Sequence, residues 1–322
     1  MIADVVSWSD YIIQGLFRGV LSKGSIIKKR EKEEVGLSSN DIHLKRLLEY
    51  IHEERGIDFS HYRYATVVRK LFLRLQESAC RDYEEYLAFL KAHPEEMQPL
   101  VRTLTIKVSN FFRNPLVFEL LYTSVIPELV DEFGFLKVWS IGCAHGEEPY
   151  SIAILVHELL TQENLSFSYN IQGTDVDPDA IERARTGEYA EGDLVETKRR
   201  FIDAYFTKSV ASPASEYGSE RYILNSEIRS MVRFSSNNII DQLLYRRAYI
   251  GNYNLVLCRN VLIYMNIAMQ ERIFRALGDI LYEDGYLVLG ASETMPESVR
   301  SGFEQPVPDV RIFRKRRSSA AL

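Results

Sequence analysis

Apolar residues are spaced in two ways along this chain, and the change falls near residue 135. Between residues 41 and 130 they recur every three or four positions. Leu44, Leu47, Leu48 and Ile51 form one such row, and the serines with Asn40 before them offer a helix cap. The stretch "DYEEYLAFLKAHPEEMQPLVRTL" keeps the helical period and breaks around Pro94. A helical domain is therefore expected over about 41–115.

From residue 136 the pattern becomes short apolar runs separated by amphipathic ones. "LKVWSI" reads as a buried strand, followed by a helix at 149–160. "SYNIQGTDVD" is a strand and turn before the helix "PDAIERAR"; "NYNLVLCRN" is a strand before the helix "AMQERIFRALGDIL". "GYLVLGASE" and "VRIFRK" close the series as strands. Such alternation predicts a parallel α/β sheet with its ligand at the carboxyl ends of the strands. Residues 189–235 interrupt it with helix-like "DLVETKRRFIDAYF", a polar loop and β-like "RYILN", which predicts a small inserted subdomain.

Residues 1–20 are apolar but interrupted by Asp4, Asp10, Gln14 and Arg18, which suits an amphipathic helix better than a secretory signal. The charged run "KGSIIKKREKEEVGLSSN" reads as a linker. No apolar run reaches the roughly 18–20 residues of a membrane span, so an integral membrane protein is not expected.

Composition narrows the classes further. Of 322 residues, 46% are hydrophobic and 26% charged, as in soluble globular proteins. A formal net charge of -6 argues against general attraction to nucleic acid. Three cysteines, Cys80, Cys143 and Cys258, lack CxxC spacing. They fit reduced thiols in a cytoplasmic protein, with no disulfide framework and no metal site.

Four stretches carry candidate chemistry. In "WSIGCAHGEEPYSIAI" two glycines meet Glu147 and Glu148 at a helix start, with Pro149 suited to its first turn. Carboxylates there complement the helix dipole and repel phosphate, which favours a cofactor with cationic and hydroxyl groups. S-adenosylmethionine, with its ammonium, sulfonium and ribose, is such a molecule. "GTDVD" places Asp175 at a strand end, where an acid can accept from both ribose hydroxyls, and Asp177 as a helix cap. "LTIKVSNFFRN" sets Arg113 at the junction of the two halves. "NLVLCRNVLIYMN" delivers Arg259, Asn260 and Tyr264 to one strand edge, and Asn237 and Asn238 follow a further β-like run.

In this order, "FFRN", "WSIGCAHGEEPYS", "GTDVD", "ARTGEY", "FSSNNI", "CRNVLIYM" and "GASE" resemble the CheR-type chemotaxis receptor methyltransferases from about residue 40 to 315. The resemblance implies an α/β fold: a class I S-adenosylmethionine methyltransferase (Rossmann-like) domain over 116–322, with an inserted β-subdomain at 189–235. An all-helical receptor-recognition domain at 41–115 would precede it, after an extension and linker at 1–40. It implies methylation of glutamate side chains on the cytoplasmic helices of chemotaxis receptors, giving γ-methyl esters and S-adenosylhomocysteine, by a cytoplasmic monomer. It also implies cofactor contacts at Ser109, Arg113, Glu148, Asp175, Asn238, Ile239, Cys258 and Arg259, with Arg113 and Tyr264 beside the transferred methyl group. The chain departs from the pattern at Lys107, where asparagine is frequent, at Ala144-His145, where Ser-Thr is common, and at Ile239 in place of leucine.

The segment "HYRYATVVRKLFLRL" contains no acid and places Arg63, Lys70 and Arg74 on one helical face, a positive stripe suited to an acidic receptor helix. Two other readings compete. One is a catalytically inactive cofactor-binding regulator, motivated by the changes at 107 and 144–145. The other is a small-molecule O-methyltransferase, which the basic helical domain and the insertion disfavour.

Overall fold

The computed structural model describes residues 39–105, 109–209, 220–245 and 251–317. The expected amphipathic helix over 1–20, the linker up to 38, Lys107 and part of the polar loop in the insertion lie outside the described residues.

The N-terminal half is helical: α1 (Ser39–Arg55), α2 (Tyr64–Glu77), α3 (Tyr83–Ala92) and α4 (Met97–Leu104). Their inward residues, among them Leu47, Ile51, Leu71, Tyr86, Leu90 and Leu100, form one closed apolar cluster. Asp82 caps α3 by accepting from the Glu85 amide. This cluster ends at Leu104, earlier than the expected boundary at 115. Phe111 and Phe112 instead pack into the core of the following sheet.

That sheet is entered through α5 (Pro115–Leu120) and α6 (Ile126–Phe133). Its strands are β1 (Phe135–Ile141), β2 (Ser168–Asp175), β6 (Val232–Ser236), β7 (Tyr253–Cys258), β8 (Leu281–Leu289), β9 (Phe303–Glu304) and β10 (Ile312–Lys315). They lie in the order β6-β2-β1-β7-β8-β10-β9. The first five run parallel, and β10 is antiparallel to both its neighbours, β8 and β9. Alternating residues feed two cores. Leu136, Val138, Leu255 and Leu257 face one, with α7 (Glu147–Thr161), α5 and α6. Trp139, Ile141, Val256 and Cys258 face the other, with α11 (Ile267–Ile280). Burial on both faces is why these strands read as near-continuous apolar runs.

The chain leaves β1 toward β2 and β6, then returns to pair β7 on the other side of β1. This reversal opens a crevice at the carboxyl ends of β1 and β7, the usual ligand position in such sheets. After α8 (Pro178–Thr186), the inserted unit forms its own antiparallel sheet of β3 (Glu188–Ala190), β5 (Arg221–Leu224) and β4 (Phe206–Lys208), with α9 (Arg199–Tyr205) and then α10 (Ser226–Ser230) beside it. The long helix-like stretch within it splits into a 3-10 turn at Glu191–Leu194 and α9.

One side chain clamps the sheet below the crevice. Asn254, fully buried, accepts from the Lys137 amide at 2.7 Å and donates to the Phe135 carbonyl at 2.7 Å. Asn254→Ala strands both main-chain groups and is expected to lower stability by roughly 2–4 kcal/mol, read from urea denaturation midpoints.

Candidate active site at the strand crossover

The turn after β1 is built from left-handed residues: Gly142 (φ 67°), Ala144 (φ 49°) and Gly146 (φ 90°). A side chain at Gly142 would collide with Val261, so the turn lies directly against the segment that follows β7. Four of its amides are already used. Gly142 and Cys143 donate to the Thr174 carbonyl at 2.7 and 3.0 Å, Gly146 to the Cys143 carbonyl at 2.9 Å, and Ala144 to Asp175 Oδ2 at 2.9 Å. A phosphate placed here would meet carboxylates rather than a ring of free N–H groups. The turn thus suits a cationic, hydroxyl-bearing cofactor, as its two glutamates suggested.

The glutamates differ in setting. Glu148 Oε1 accepts from Ser140 Oγ at 2.7 Å, and its Oε2 lies 3.1 Å from Arg259 Nη1. Arg259 also donates from Nη2 to the Arg113 carbonyl at 2.8 Å and to Asn114 Oδ1 at 2.7 Å, with its guanidinium over the Phe118 ring. Glu147 is 1% exposed, with Oε1 3.5 Å from His145 Nδ1. The Cys143 thiol is pushed well above its usual range by burial and by the nearby Asp175, Glu147 and Glu148 carboxylates. It is therefore not a nucleophile.

Arg113 sits between two non-glycine residues in left-handed backbone, Phe112 (φ 55°) and Asn114 (φ 63°). The Phe112 amide donates to Ser151 Oγ at 2.9 Å, and Phe111 packs edge-on against Tyr189 and Phe206 of the inserted unit. Packing on both sides holds this strained loop, as is common where a chain carries function.

Beyond β7, Asn260 is also left-handed (φ 60°). The loop it opens is organised by Glu293, which is 2% exposed. Glu293 accepts from the amides of Asn260, Val261, Leu262 and Gly290 at 2.7–2.9 Å. Burial raises its pKa, and those four amides oppose the rise. The loop ends at Tyr264, whose pKa burial also raises; the positive charge of Arg113 acts against that and the negative charge of Glu293 with it.

A cleft opens over the ends of β1 and β2. Asp175, Asn238, Ile239 and Tyr264 line it, joined from the helical domain by Tyr62, Leu104 and Thr105. The structure thus gathers four expected site residues in one cavity and ties Glu148, Arg259 and the Arg113 main chain into a network beside it. Ser109 is half-buried in the irregular stretch before Phe111. Cys258 is fully buried in the second core, so its side chain is a packing group and any ligand contact there would come from its main chain.

The positive stripe on α2 needs correction. Lys70 is 5% exposed and donates to the Leu104 carbonyl at 2.7 Å. Arg74 is paired with Glu77 and Glu96. Both turn inward because their helical face is the one that meets α4 and the 3-10 turn before it. Arg63 is exposed, though its Nε donates to the Met265 carbonyl at 3.2 Å. The outward face instead carries Arg69, Phe72 and Leu73. Sequence reasoning missed Glu293 and Tyr62. The first was visible only as the acid of "GASE", and its partners lie up to 33 residues upstream. The second lay in a segment read for charge alone.

No helix among the described residues is long and apolar enough to cross a membrane. Two family models match the chain: the CheR methyltransferase all-alpha domain over residues 42–105 and the CheR methyltransferase SAM binding domain over residues 107–307. The chain is 32% identical to the Cher3 protein of Pseudomonas putida, across 86% of this chain and 98% of that one. It is 29% identical to the chemotaxis protein methyltransferase of Salmonella typhimurium, across 82% and 88%. With that of Escherichia coli it shares 28%, across 80% and 86%. Matched over nearly all of its described length, the chain belongs to the CheR methyltransferase family, and its cofactor is S-adenosylmethionine.

Proposed function

We propose that this chain methylates glutamate side chains on the cytoplasmic helices of chemotaxis receptors, giving γ-methyl esters. The observation that carries the reading is the turn of 142–146. Four of its amides are internally bonded, and Glu147 and Glu148 follow it at a parallel-sheet crossover, in a chain of this family. Relatives named chemotaxis protein methyltransferases support the receptor as substrate.

S-adenosylmethionine supplies an electrophilic methyl group on a positively charged sulfur. The residues of the chain bind and orient. Glu148, held by Ser140 and Arg259, offers a fixed negative charge to the amino-acid end of the cofactor. Asp175 accepts from ribose hydroxyls, and Asn238 and Ile239 line the far end of the cleft. A substrate glutamate, with an ordinary pKa of about 4.3, is ionised near neutral pH and needs no general base. Rate then comes from alignment and exclusion of water. Arg113 orients the incoming carboxylate, and Tyr264 lines the transfer position. On the helical domain, the outer face of α2 with Arg69, Phe72 and Leu73, together with exposed Arg63 just before the helix, receives the receptor helix.

The test is transfer of tritiated methyl to receptor cytoplasmic fragments, followed by release of volatile methanol in base. Base-labile label on glutamate is expected. Cofactor binding with no transfer to any fragment would favour a cofactor-binding regulator instead.

Charge reversal at the two exposed arginines here, Arg63→Glu before α2 with Arg69→Glu on its outer face, is expected to raise the KM for receptor several-fold at low salt and less at high salt. Cofactor affinity, read by calorimetry, should stay at the parent value. A Glu293→Gln substitution replaces an acceptor oxygen with an NH₂ group facing backbone amides. Each stranded amide costs about 1–3 kcal/mol. The variant should be measurably less stable to denaturant and lose most of its turnover through the displaced loop of 260–264.

A further inference from the structure

Lys70 is a buried cation with no carboxylate partner among the described residues, an unfavourable arrangement unless something else in its surroundings stabilises the charge. Two things do. Its Nζ donates to the carbonyl of Leu104, the last residue of α4, where the helix dipole is negative. The ammonium also stands 5.7 Å from the centre of the Tyr264 ring. If Lys70 served only as filler, an apolar side chain would occupy the position without the desolvation penalty.

Tyr264 is held by the helical domain at its main chain as well. The Arg63 amide donates to the Tyr264 carbonyl at 2.8 Å, and the Asn266 amide to the His61 carbonyl at 2.9 Å. Tyr62 and Met265 form an isolated antiparallel bridge between these segments. Arg113 and Glu293 act electrostatically on the tyrosine from the methyltransferase side. The ring therefore stands between a lysine of one domain and the polar groups of the other, in the wall of the cleft.

We propose that Lys70 is a positioning residue for methyl transfer, its ammonium holding the Tyr264 ring in place from the helical domain. The inference rests on the reading of Tyr264 as lining the transfer position. It makes α2 a two-sided element: its outer face meets the substrate, and its inner face sets a residue of the reaction site.

Titration gives the inference a signature. Burial, with the neighbouring charge of Arg69, pushes the Lys70 pKa down to about 8. The groups facing Lys70 and Tyr264 are Arg69 on α2, the Leu104 carbonyl of α4, Arg113 before α5 and Glu293 after β8. Tyr62 and Asp175 stand in the same cleft wall. Lys70 is charged below its pKa and neutral above it, so its hold on the ring is present at neutral pH and weakens as pH rises past about 8.

The experiment uses the full chain with Lys70→Met and Lys70→Arg substitutions. Lys70→Met should lower kcat roughly three- to thirtyfold, the span available to a buried cation on an aromatic face, with little change in receptor KM or S-adenosylhomocysteine affinity. Parent kcat should decline above about pH 8, and Lys70→Arg, charged throughout, should keep most of the turnover and lose that decline. Independently of turnover, the ¹³C-labelled Tyr264 ring should show a chemical-shift step near pH 8 in the parent and none in either variant. Parental kcat in Lys70→Met, a rise confined to receptor KM, or a ring resonance indifferent to Lys70 would overturn the proposal. A parent chain that transfers no methyl defeats the functional reading instead, and the ring titration still decides for or against Lys70.

Discussion

The buried pair of Arg259 and Glu148 is the interaction on which the site's geometry depends. A guanidinium at the end of β7 with its side chain 3% exposed would be strongly unfavourable alone. It is balanced by a carboxylate from the first turn of α7 and by two acceptors at Arg113 and Asn114. These partners stand 111 and 146 residues from it in sequence, so one side chain fixes the relative position of three distant segments. Ser140 then fixes the remaining oxygen of Glu148. Removal of any member leaves another charged or polar group buried without its partner, which is why the arrangement holds as a unit.

The same network explains how a Rossmann-like crossover comes to reject phosphate. Dinucleotide sites leave turn amides open at a helix N-terminus. Here Thr174 and Asp175 of the adjacent strand take those amides, and the helix begins with two acids. The dipole at that end is answered by covalently attached negative charge. What remains attractive to a ligand is a negative region beside an apolar cleft, the complement of a cationic amino acid joined to a nucleoside.

Much of this was legible along the chain because the signals are local. Strand-helix alternation, the glycine turn and the acid at the end of β2 each occupy a few consecutive residues. The failures share a different cause. A helical wheel placed Lys70 and Arg74 on one face of α2 but carries no information about which face meets α4, and the structure turns that face inward. At Cys258 the motif could not say which part of the residue faces a ligand: strand alternation sends its side chain into the second core and leaves its main chain for any contact. Glu293 was invisible as an organiser because its four amide partners become neighbours only when β7 and β8 pair. Phe111 and Phe112, inside the expected 41–115 segment, continue a helical-looking stretch but are captured by aromatic rings of the inserted unit, Tyr189 and Phe201.

The cleft belongs to neither domain alone. Its floor is the crossover of the sheet, while Tyr62, Leu104 and Thr105 close one side from the helical domain. Burial, with the charge of Asp175, raises the Tyr62 pKa, so its phenol stays protonated and able to donate in a cleft otherwise rich in acceptors. The main-chain contact between residues 61–63 and 264–266 is short, a local tether between the two domains. A molecule filling the cleft would touch both sides at once. By linkage, such a molecule must favour the docked arrangement of the two domains by as much as docking favours its binding. Filling the cleft and docking the helical domain then become one equilibrium.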